Sequence, residues 1–351
     1  MRRTSNRLAD GREIIYFDDS VEAPERTAAD RRDLPERDPR PEMRRDPLTG
    51  EWTVLAAHRQ ARTYKPATSD CPLCPSRPGS ESEIPESGYD VVVFENRFPS
   101  LFGPPGELSG VPAESARAAG RCEVVCYTDK HDGALKDVDL TRMDTVLLAL
   151  ADRTAELGAL PGVKQVYCFE NRGEAIGTTL PHPHGQIYAF PFIAPRTQRM
   201  LEMAAAADTH PMGTLLAAEH ADGARVVHRG EHCSVIVPVA ARWPVEVLVV
   251  PHRQVGTIGE LTEDERTEFG AFYLDLLDRL DRYHGQELPY VAAWHQAPVD
   301  TDPKLSWLHL QVFSIQRTPD KLKYLAGTES GAGVWISDVT PESIAERLRS
   351  L

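Results

Sequence analysis

Cys122-Glu123-Val124-Val125-Cys126-Tyr127, followed by His131 and then by Leu140-Thr141, has a second copy in the chain. Val245-Glu246-Val247-Leu248-Val249-Val250 leads to His252 and then to Leu261-Thr262, with the same spacing from histidine to threonine. Such self-similarity marks a duplicated unit. In both copies the apolar run reads as a strand. Thr141 with Asp144, and Thr262 with Glu265, have the form of capping boxes that start helices. Apolar residues follow at helical spacing: Met143, Val146, Leu147, Leu150 and Leu157 in one copy, Phe269, Phe272, Tyr273, Leu276 and Leu280 in the other. These stripes read as core. Each helix gives way to a strand with a polar end, Phe169-Glu170-Asn171 or Trp294-His295-Gln296. A final strand closes each copy, carrying Pro181-His182-Pro183-His184-Gly185-Gln186 in the first and Leu308-His309-Leu310-Gln311-Val312-Phe313 in the second. Matched end to end, these runs set Gln311 against His184 and leave the second half as scaffold. Strand, helix and antiparallel strands repeated twice predict an α+β fold, its duplicated halves forming one mainly antiparallel sheet flanked by helices.

Residues 1–42 are rich in Arg, Asp, Glu and Pro and predict an arm, partly disordered or wrapped on the body, with Glu13-Ile14-Ile15-Tyr16-Phe17 as a short strand. The first half spans 43–195 and opens on a turn signal running into the alternating strand Trp52-Thr53-Val54-Leu55. Residues 196–228 read as a helical connector, 229–318 as the second half, and 319–351 as a last segment ending in a helix from Thr340-Pro341-Glu342. The 351 residues carry a formal net charge of −14, which argues against nucleic acid or an anionic membrane surface as the main partner. Phosphate binding then has to be local. No run of about 18 apolar residues occurs, and Met1-Arg2-Arg3-Thr4-Ser5-Asn6 lacks the apolar stretch of a signal peptide, so a cytoplasmic enzyme is expected. Six cysteines in a chain this long are too few for a disulfide framework.

Chemistry concentrates in Thr178-Thr179-Leu180-Pro181-His182-Pro183-His184-Gly185-Gln186-Ile187-Tyr188. In an extended segment side chains alternate, so His182 and His184 would share one side and one cleft. Pro181 and Pro183 fix their own φ and hold the preceding residues extended, and Gly185 lets a ligand approach the backbone. A neutral imidazole is a nucleophile or a metal ligand, and Gln186 offers both a donor and an acceptor. Cys71-Pro72-Leu73-Cys74 is half of a structural zinc site, a buried thiol pair being the alternative. No second Cys-x-x-Cys exists, so histidines are expected to complete the site: His131 after its strand, and His182. Cys122, Cys126, Cys168 and Cys233 fall in strands and read as core.

The Pro-His-Pro-His-Gly-Gln run resembles the histidine-triad (HIT) superfamily, in the form belonging to its galactose-1-phosphate uridylyltransferase branch. The resemblance extends from Arg44 to Leu351 and implies two HIT-like halves, one zinc ion on Cys71, Cys74, His131 and His182, and His184 as nucleophile with Gln186 assisting. UMP would pass from UDP-glucose to galactose 1-phosphate through a uridylyl-histidine, giving UDP-galactose. By the same correspondence Arg59 and Arg62 would hold phosphates, Asn96 and Asn171 would contact the nucleotide or its phosphates, and Gly177 and Thr179 would line its pocket. Lys323, Tyr324 and Glu329 match a lysine-aromatic stretch that contacts the sugar phosphate and reaches into the partner's site, which implies a homodimer. Two departures stand out. Thr328 occupies the place of a tyrosine, and a second metal site, built in some members from a glutamate and three histidines, would keep His295 and His309 but meet Gln311 in place of the third histidine. Two rival readings remain: a nucleotidyltransferase or sugar-nucleotide phosphorylase of the same superfamily acting on an ADP-sugar or another hexose 1-phosphate, and a zinc-stabilised nucleotide-binding protein without turnover. The intact His184 and Gln186 argue against the latter.

Overall fold

The two repeated apolar runs become central strands of one sheet. In a computed structural model, which describes residues 1–35, 37–61, 65–108 and 114–351, the first half runs β1 (Arg2–Arg7), β2 (Glu13–Asp18), β3 (Glu42–Arg45), β4 (Trp52–Leu55), β5 (Val91–Glu95), β6 (Ser115–Arg117), β7 (Arg121–Cys126), α1 (Leu140–Gly158), β8 (Gln165–Arg172) and β9 (His184–Phe190). Helices α2 (Pro195–Ala205) and α3 (Pro211–Asp222) lead to β10 (Val226–Arg229), β11 (Cys233–Ile236), β12 (Val245–Pro251), α4 (Glu263–Tyr283), β13 (Tyr290–His295) and β14 (His309–Ser314). Among the described residues, eleven strands form one antiparallel sheet in the order β1-β2-β5-β7-β9-β8-β13-β14-β12-β11-β10. Apart from β1, which has no counterpart, the order is symmetric about the β8–β13 seam, so two copies of one five-strand pattern join edge to edge. Strands β3, β4 and β6 make a separate small sheet.

Period-two alternation gives the main sheet two unlike faces. One carries Val125, Cys168, Ile187, Val247, Ala292 and Leu310 and is covered by α1 and α4, whose predicted apolar stripes are buried against it, Phe272 only partly. Each such buried side chain contributes about 1.5–3 kcal/mol. The other face carries the polar residues of the final strands. Helix α4 begins as predicted, with the Thr262 hydroxyl accepting from the Glu265 N–H at 3.3 Å and the Glu265 carboxylate accepting from the Thr262 N–H at 2.9 Å. Helix α1 does not. Its cap is Asp139, which accepts from the Arg142 N–H at 2.8 Å, so the helix starts before Thr141 and leaves Asp144 to pair with Arg266 of α4.

The strand register also corrects how the halves match. Val124 and Phe169 flank Gln186, whereas Leu248 and Ala293 flank Gln311. One residue back, Glu170 lies beside Gly185 and Trp294 beside Leu310. His184 and His309 each begin their strands. His309 therefore stands where His184 stands, and Gln311 stands where Gln186 does. A slip of two residues keeps every side chain on its own face, so the alternation of the sequence could not expose it.

The 1–42 segment is tied into the body. β1 and β2 extend the sheet beyond β5 and bury Ile14, Ile15, Tyr16 and Phe17. Arg12 is fully buried and pairs with Asp10 and Glu83, while Arg32 pairs with Asp30 and Glu83. Part of the charge that gave this segment the composition of a disordered arm is paired within the segment, and Arg12, Arg32 and Arg37 tie it to Glu83 and Glu95 of the body. At the other end, α5 (Pro341–Arg349) starts where predicted, with the Thr340 hydroxyl accepting from the Ser343 N–H at 3.3 Å. The connector expected over 196–228 holds two helices, α2 and α3, with a non-helical break at 206–210, and gives way to β10 at Val226. No helix among the described residues is long and apolar enough to cross a membrane.

Candidate active site

Two loops and two strand ends converge at the start of β9. Cys71 and Cys74 are buried, His131 follows β7, and His182 sits in a bend just before β9; one ligand atom from each lies within 4.8 Å of the others. The Cys74 thiol sulfur is 3.3 Å from His131 Nδ1 and 3.6 Å from His182 Nδ1. On its far side His182 Nε2 donates to the Thr128 carbonyl at 2.8 Å, and the Tyr89 hydroxyl lies 2.9 Å away while donating to the Leu73 carbonyl. This outer contact fixes the tautomer and turns the Nδ1 lone pair toward the cysteines, as a metal-binding histidine requires. Burial pushes the His182 pKa down to about 4, so the ring is neutral and free to bind a cation. Two thiols and two imidazoles, close enough for a tetrahedron, fit a metal ion.

The bend at His182-Pro183 separates the two imidazoles that an extended segment would have kept side by side. His182 serves the cysteine cluster, while His184 donates from Nδ1 to the carbonyl of His182 at 2.7 Å and keeps Nε2 as an acceptor. Burial lowers the His184 pKa, so the lone pair on Nε2 is available near neutral pH. His184 lines two adjoining clefts, one of about 840 Å³ and one of about 250 Å³. The smaller also meets Arg59, Asn96, Asn171, Gly177, Thr179 and Gln186. Gly177 holds φ at +85°, where a side chain would be strained. The Gln186 carbonyl accepts from the Tyr188 hydroxyl at 3.3 Å, which leaves the amide N–H groups to donate into the cleft. Arg59 donates to Ser100 and, at 3.1 Å, to Tyr188.

Gly185 has a different reason from the expected close approach of a ligand. A Cβ there would come within 2.0 Å of the Tyr127 hydroxyl and 2.9 Å of the Phe169 carbonyl, both packed behind the strand. On that helix-covered face Glu170 is buried and accepts from the Tyr290 hydroxyl at 3.0 Å and the Tyr273 hydroxyl at 3.4 Å, with burial raising its pKa to about 7.

Of the residues expected at the site, Arg62 lies outside those described. Lys323, Tyr324 and Glu329 do not line either cleft of their own chain. Lys323 instead bonds the Ile336 carbonyl and lies 3.5 Å from Glu329, while Tyr324 is exposed. Their neighbours Gln316 and Leu322 do reach the larger cleft. Tyr188, not among the expected site residues, also lines the smaller cleft, since its place two residues beyond Gln186 puts it on the same face. Ser100, Tyr89 and Thr128 carried no signal in spacing, since they meet the site only through tertiary packing.

Residues 32–194 match the family described as galactose-1-phosphate uridyl transferase, N-terminal domain, and residues 198–351 match its C-terminal domain. The galactose-1-phosphate uridylyltransferase of Streptomyces lividans is 44% identical over 368 aligned positions, covering 100% of this chain and 98% of the relative. The Thermotoga maritima protein of the same name is 36% identical over 317 positions, covering 88% and 98%. A solved uridylyltransferase structure superimposes with a TM-score of 0.78 at 31% identity, covering 88% of this chain and 98% of its own. With both domain families matched in order and relatives alike over their full length, the chain belongs to the galactose-1-phosphate uridyl transferase family.

Proposed function

We propose that this chain is a galactose-1-phosphate uridylyltransferase that exchanges UMP between UDP-glucose and galactose 1-phosphate through His184. The observation that carries the reading is the His184 tautomer. With Nδ1–H held by the His182 carbonyl, Nε2 faces the clefts as a bare lone pair and can attack the α-phosphorus in line. An N–P bond forms as the bond to glucose 1-phosphate breaks. That leaving group departs as an anion. A phosphate oxygen of galactose 1-phosphate then attacks the same phosphorus, the N–P bond breaks, and UDP-galactose leaves with His184 restored. Gln186 donates its amide to the phosphoryl oxygens, Arg59 meets the phosphates in the same cleft, and Asn96, Asn171, Gly177 and Thr179 bound the nucleotide; Arg62 is assigned with Arg59 by family correspondence.

Zinc is the ion we assign to Cys71, Cys74, His131 and His182. When bound it supplies a structural clamp on the residue whose carbonyl orients the nucleophile. Lys323, Tyr324 and Glu329 are assigned to the sugar-phosphate site of a second subunit, a reading supported by their position outside their own cleft and by the exposed apolar side chains of Tyr324, Leu325, Val334 and Ile336 beside them. The net charge of −14 supports a reading without a nucleic-acid partner.

The test is a coupled assay across UDP- and ADP-sugars with several hexose 1-phosphates. UDP-glucose with galactose 1-phosphate is expected to be turned over fastest. A preference for an ADP-sugar, or for free phosphate as acceptor, would replace this reading by that of a phosphorylase.

A further inference from the structure

The second half repeats the orienting device of the first. His309 donates from Nδ1 to the carbonyl two residues upstream, Trp307 O, at 2.9 Å, as His184 does to His182 O at 2.7 Å. Its Nε2 is thus also a bare lone pair. Beside it, at 4.6 Å between ring centroids and nearly parallel, lies His295. His295 Nε2 donates to the Gln311 carbonyl at 3.1 Å, because the Gln311 amide is turned the other way to donate to Glu246. That leaves His295 Nδ1, buried and without a hydrogen-bond partner. Both histidines are only 6% exposed, and both form the floor of a cleft of about 270 Å³, close in size to the smaller cleft beside His184.

The walls of this cleft choose its occupant. Arg196, Arg199 and Arg242 line it, and among the described residues no aspartate or glutamate does, although the chain as a whole carries −14. Glu246 is nearby but spent: it accepts from the Arg242 and Trp243 backbone N–H groups at 2.6 and 3.3 Å and from Gln311. The Arg196 side chain has no hydrogen bond or ion pair among the described residues, yet its charge reaches both imidazoles and, after their burial, helps to hold them neutral. Met200, Met212 and Trp307 supply apolar surface. A cation here would find two lone pairs and an amide already engaged on both sides, and would sit against the arginine charge. A phosphate monoester in its monoanionic form suits every group: its oxygens accept from Arg196, its hydroxyl donates to a bare imidazole nitrogen, and its organic part packs on Met and Trp side chains.

From the duplicated strand geometry and a lining whose charged side chains are all arginines we infer that the second half holds a separate binding site, at His295, His309 and Arg196, for a small phosphomonoester with an apolar body. The site stands apart from the exchange chemistry proposed for His184. It binds without covalent change.

Calorimetric titration of the metal-loaded full chain with phenyl phosphate tests this. Wild type is expected to show two classes of site; Arg196→Met should lose one, weakened at least tenfold, and keep the one that Arg59→Met removes. Arg196→Lys should recover part of the lost binding. Inorganic phosphate, which has no apolar body, should bind the Arg196 site at least tenfold more weakly than the ester, and equal affinity would overturn the ester assignment. The inference falls if Arg196→Met titrates like wild type, if Arg59→Met removes all binding, or if anomalous scattering places a transition metal on His295 and His309.

Discussion

His184 and His309 open equivalent strands, donate to equivalent carbonyls and each stand two residues before a glutamine, yet their surroundings have diverged. In the first half the residue two before the histidine is His182, which belongs to a cysteine and histidine cluster. In the second it is Trp307, whose indole N–H donates to the Pro251 carbonyl at 2.9 Å. His252, which shares with His131 its spacing to the following threonine, bonds the Ser234 hydroxyl at 2.8 Å instead of facing thiols. A cluster fit to hold a metal ion on one side thus corresponds to ordinary hydrogen bonds on the other. The lesson is that the strand supplies the oriented imidazole in both halves, and the loops in front of it decide what that imidazole is for.

The largest break in the comparison is chemical. His184→Gly should lower uridylyl exchange by about 10⁴-fold or more, the order seen when a covalent nucleophile is removed. With UDP-glucose labelled at the α-phosphorus, wild type should carry acid-labile, base-stable label on the protein, and the variant none. Label persisting on His184→Gly would move the nucleophile elsewhere, with His309 the first place to look.

Next comes the clamp. Replacing Cys71 and Cys74 together by serine should remove one metal ion per chain and lower the thermal midpoint by about 10 °C, because structural metal binding is part of folding energy. His252→Ala, in the second half, should leave the metal content unchanged. Elemental analysis of the two variants reads this directly, and equal metal in both would end the contrast between the halves.

A smaller effect lies at the seam. Glu170 belongs to the first half but accepts from Tyr273 and Tyr290 of the second, while its counterpart in register, Trp294, is apolar. Burial raises the Glu170 pKa from 4.5 to about 7 in the folded chain. The stability it contributes as a protonated group is therefore fully present below about pH 4.5 and is lost as pH rises through about 7, a change on the order of 3 kcal/mol. Glu170→Gln should flatten that dependence, so its stability relative to wild type rises between pH 5 and pH 8 in denaturant titrations. A difference that does not vary with pH would show that Glu170 is ionised throughout.

The smallest effect concerns Gly185, where the second half carries Leu310. Because the Tyr127 hydroxyl occupies the space a Cβ would need, Gly185→Ala should cost about 1–3 kcal/mol through overpacking. Adding Tyr127→Phe should restore most of it. A double variant no better than the single would shift the cause to the Phe169 carbonyl.

Much of this was legible in the chain. The duplication, the buried helical stripes of α1 and α4, the Cys-x-x-Cys pair and the histidine run are local patterns, and local patterns follow from side-chain period and backbone restriction. Helix α1 starts two residues before the expected cap because Asp139 and Thr141 are both competent caps, and only the folded chain, with Asp139 accepting from the Arg142 N–H and Asp144 paired with Arg266, decides between them. The acidic and basic residues before Met43 gave no hint of order, since an ion pair is visible only once both partners are placed.

What the sequence determined by itself is the inventory: two strand–helix–strand units, one cysteine pair, and histidines two residues before a glutamine in each closing strand. Tertiary structure alone decided the register, because a two-residue slip leaves every face unchanged in sequence but not in hydrogen bonding. It also decided that His182 and His184 part company at a bend, one joining Cys71, Cys74 and His131 and the other opening onto the clefts. And it brought Arg196 from the connector over His295 and His309, residues far apart in the chain whose chemistry exists only where folding sets them together.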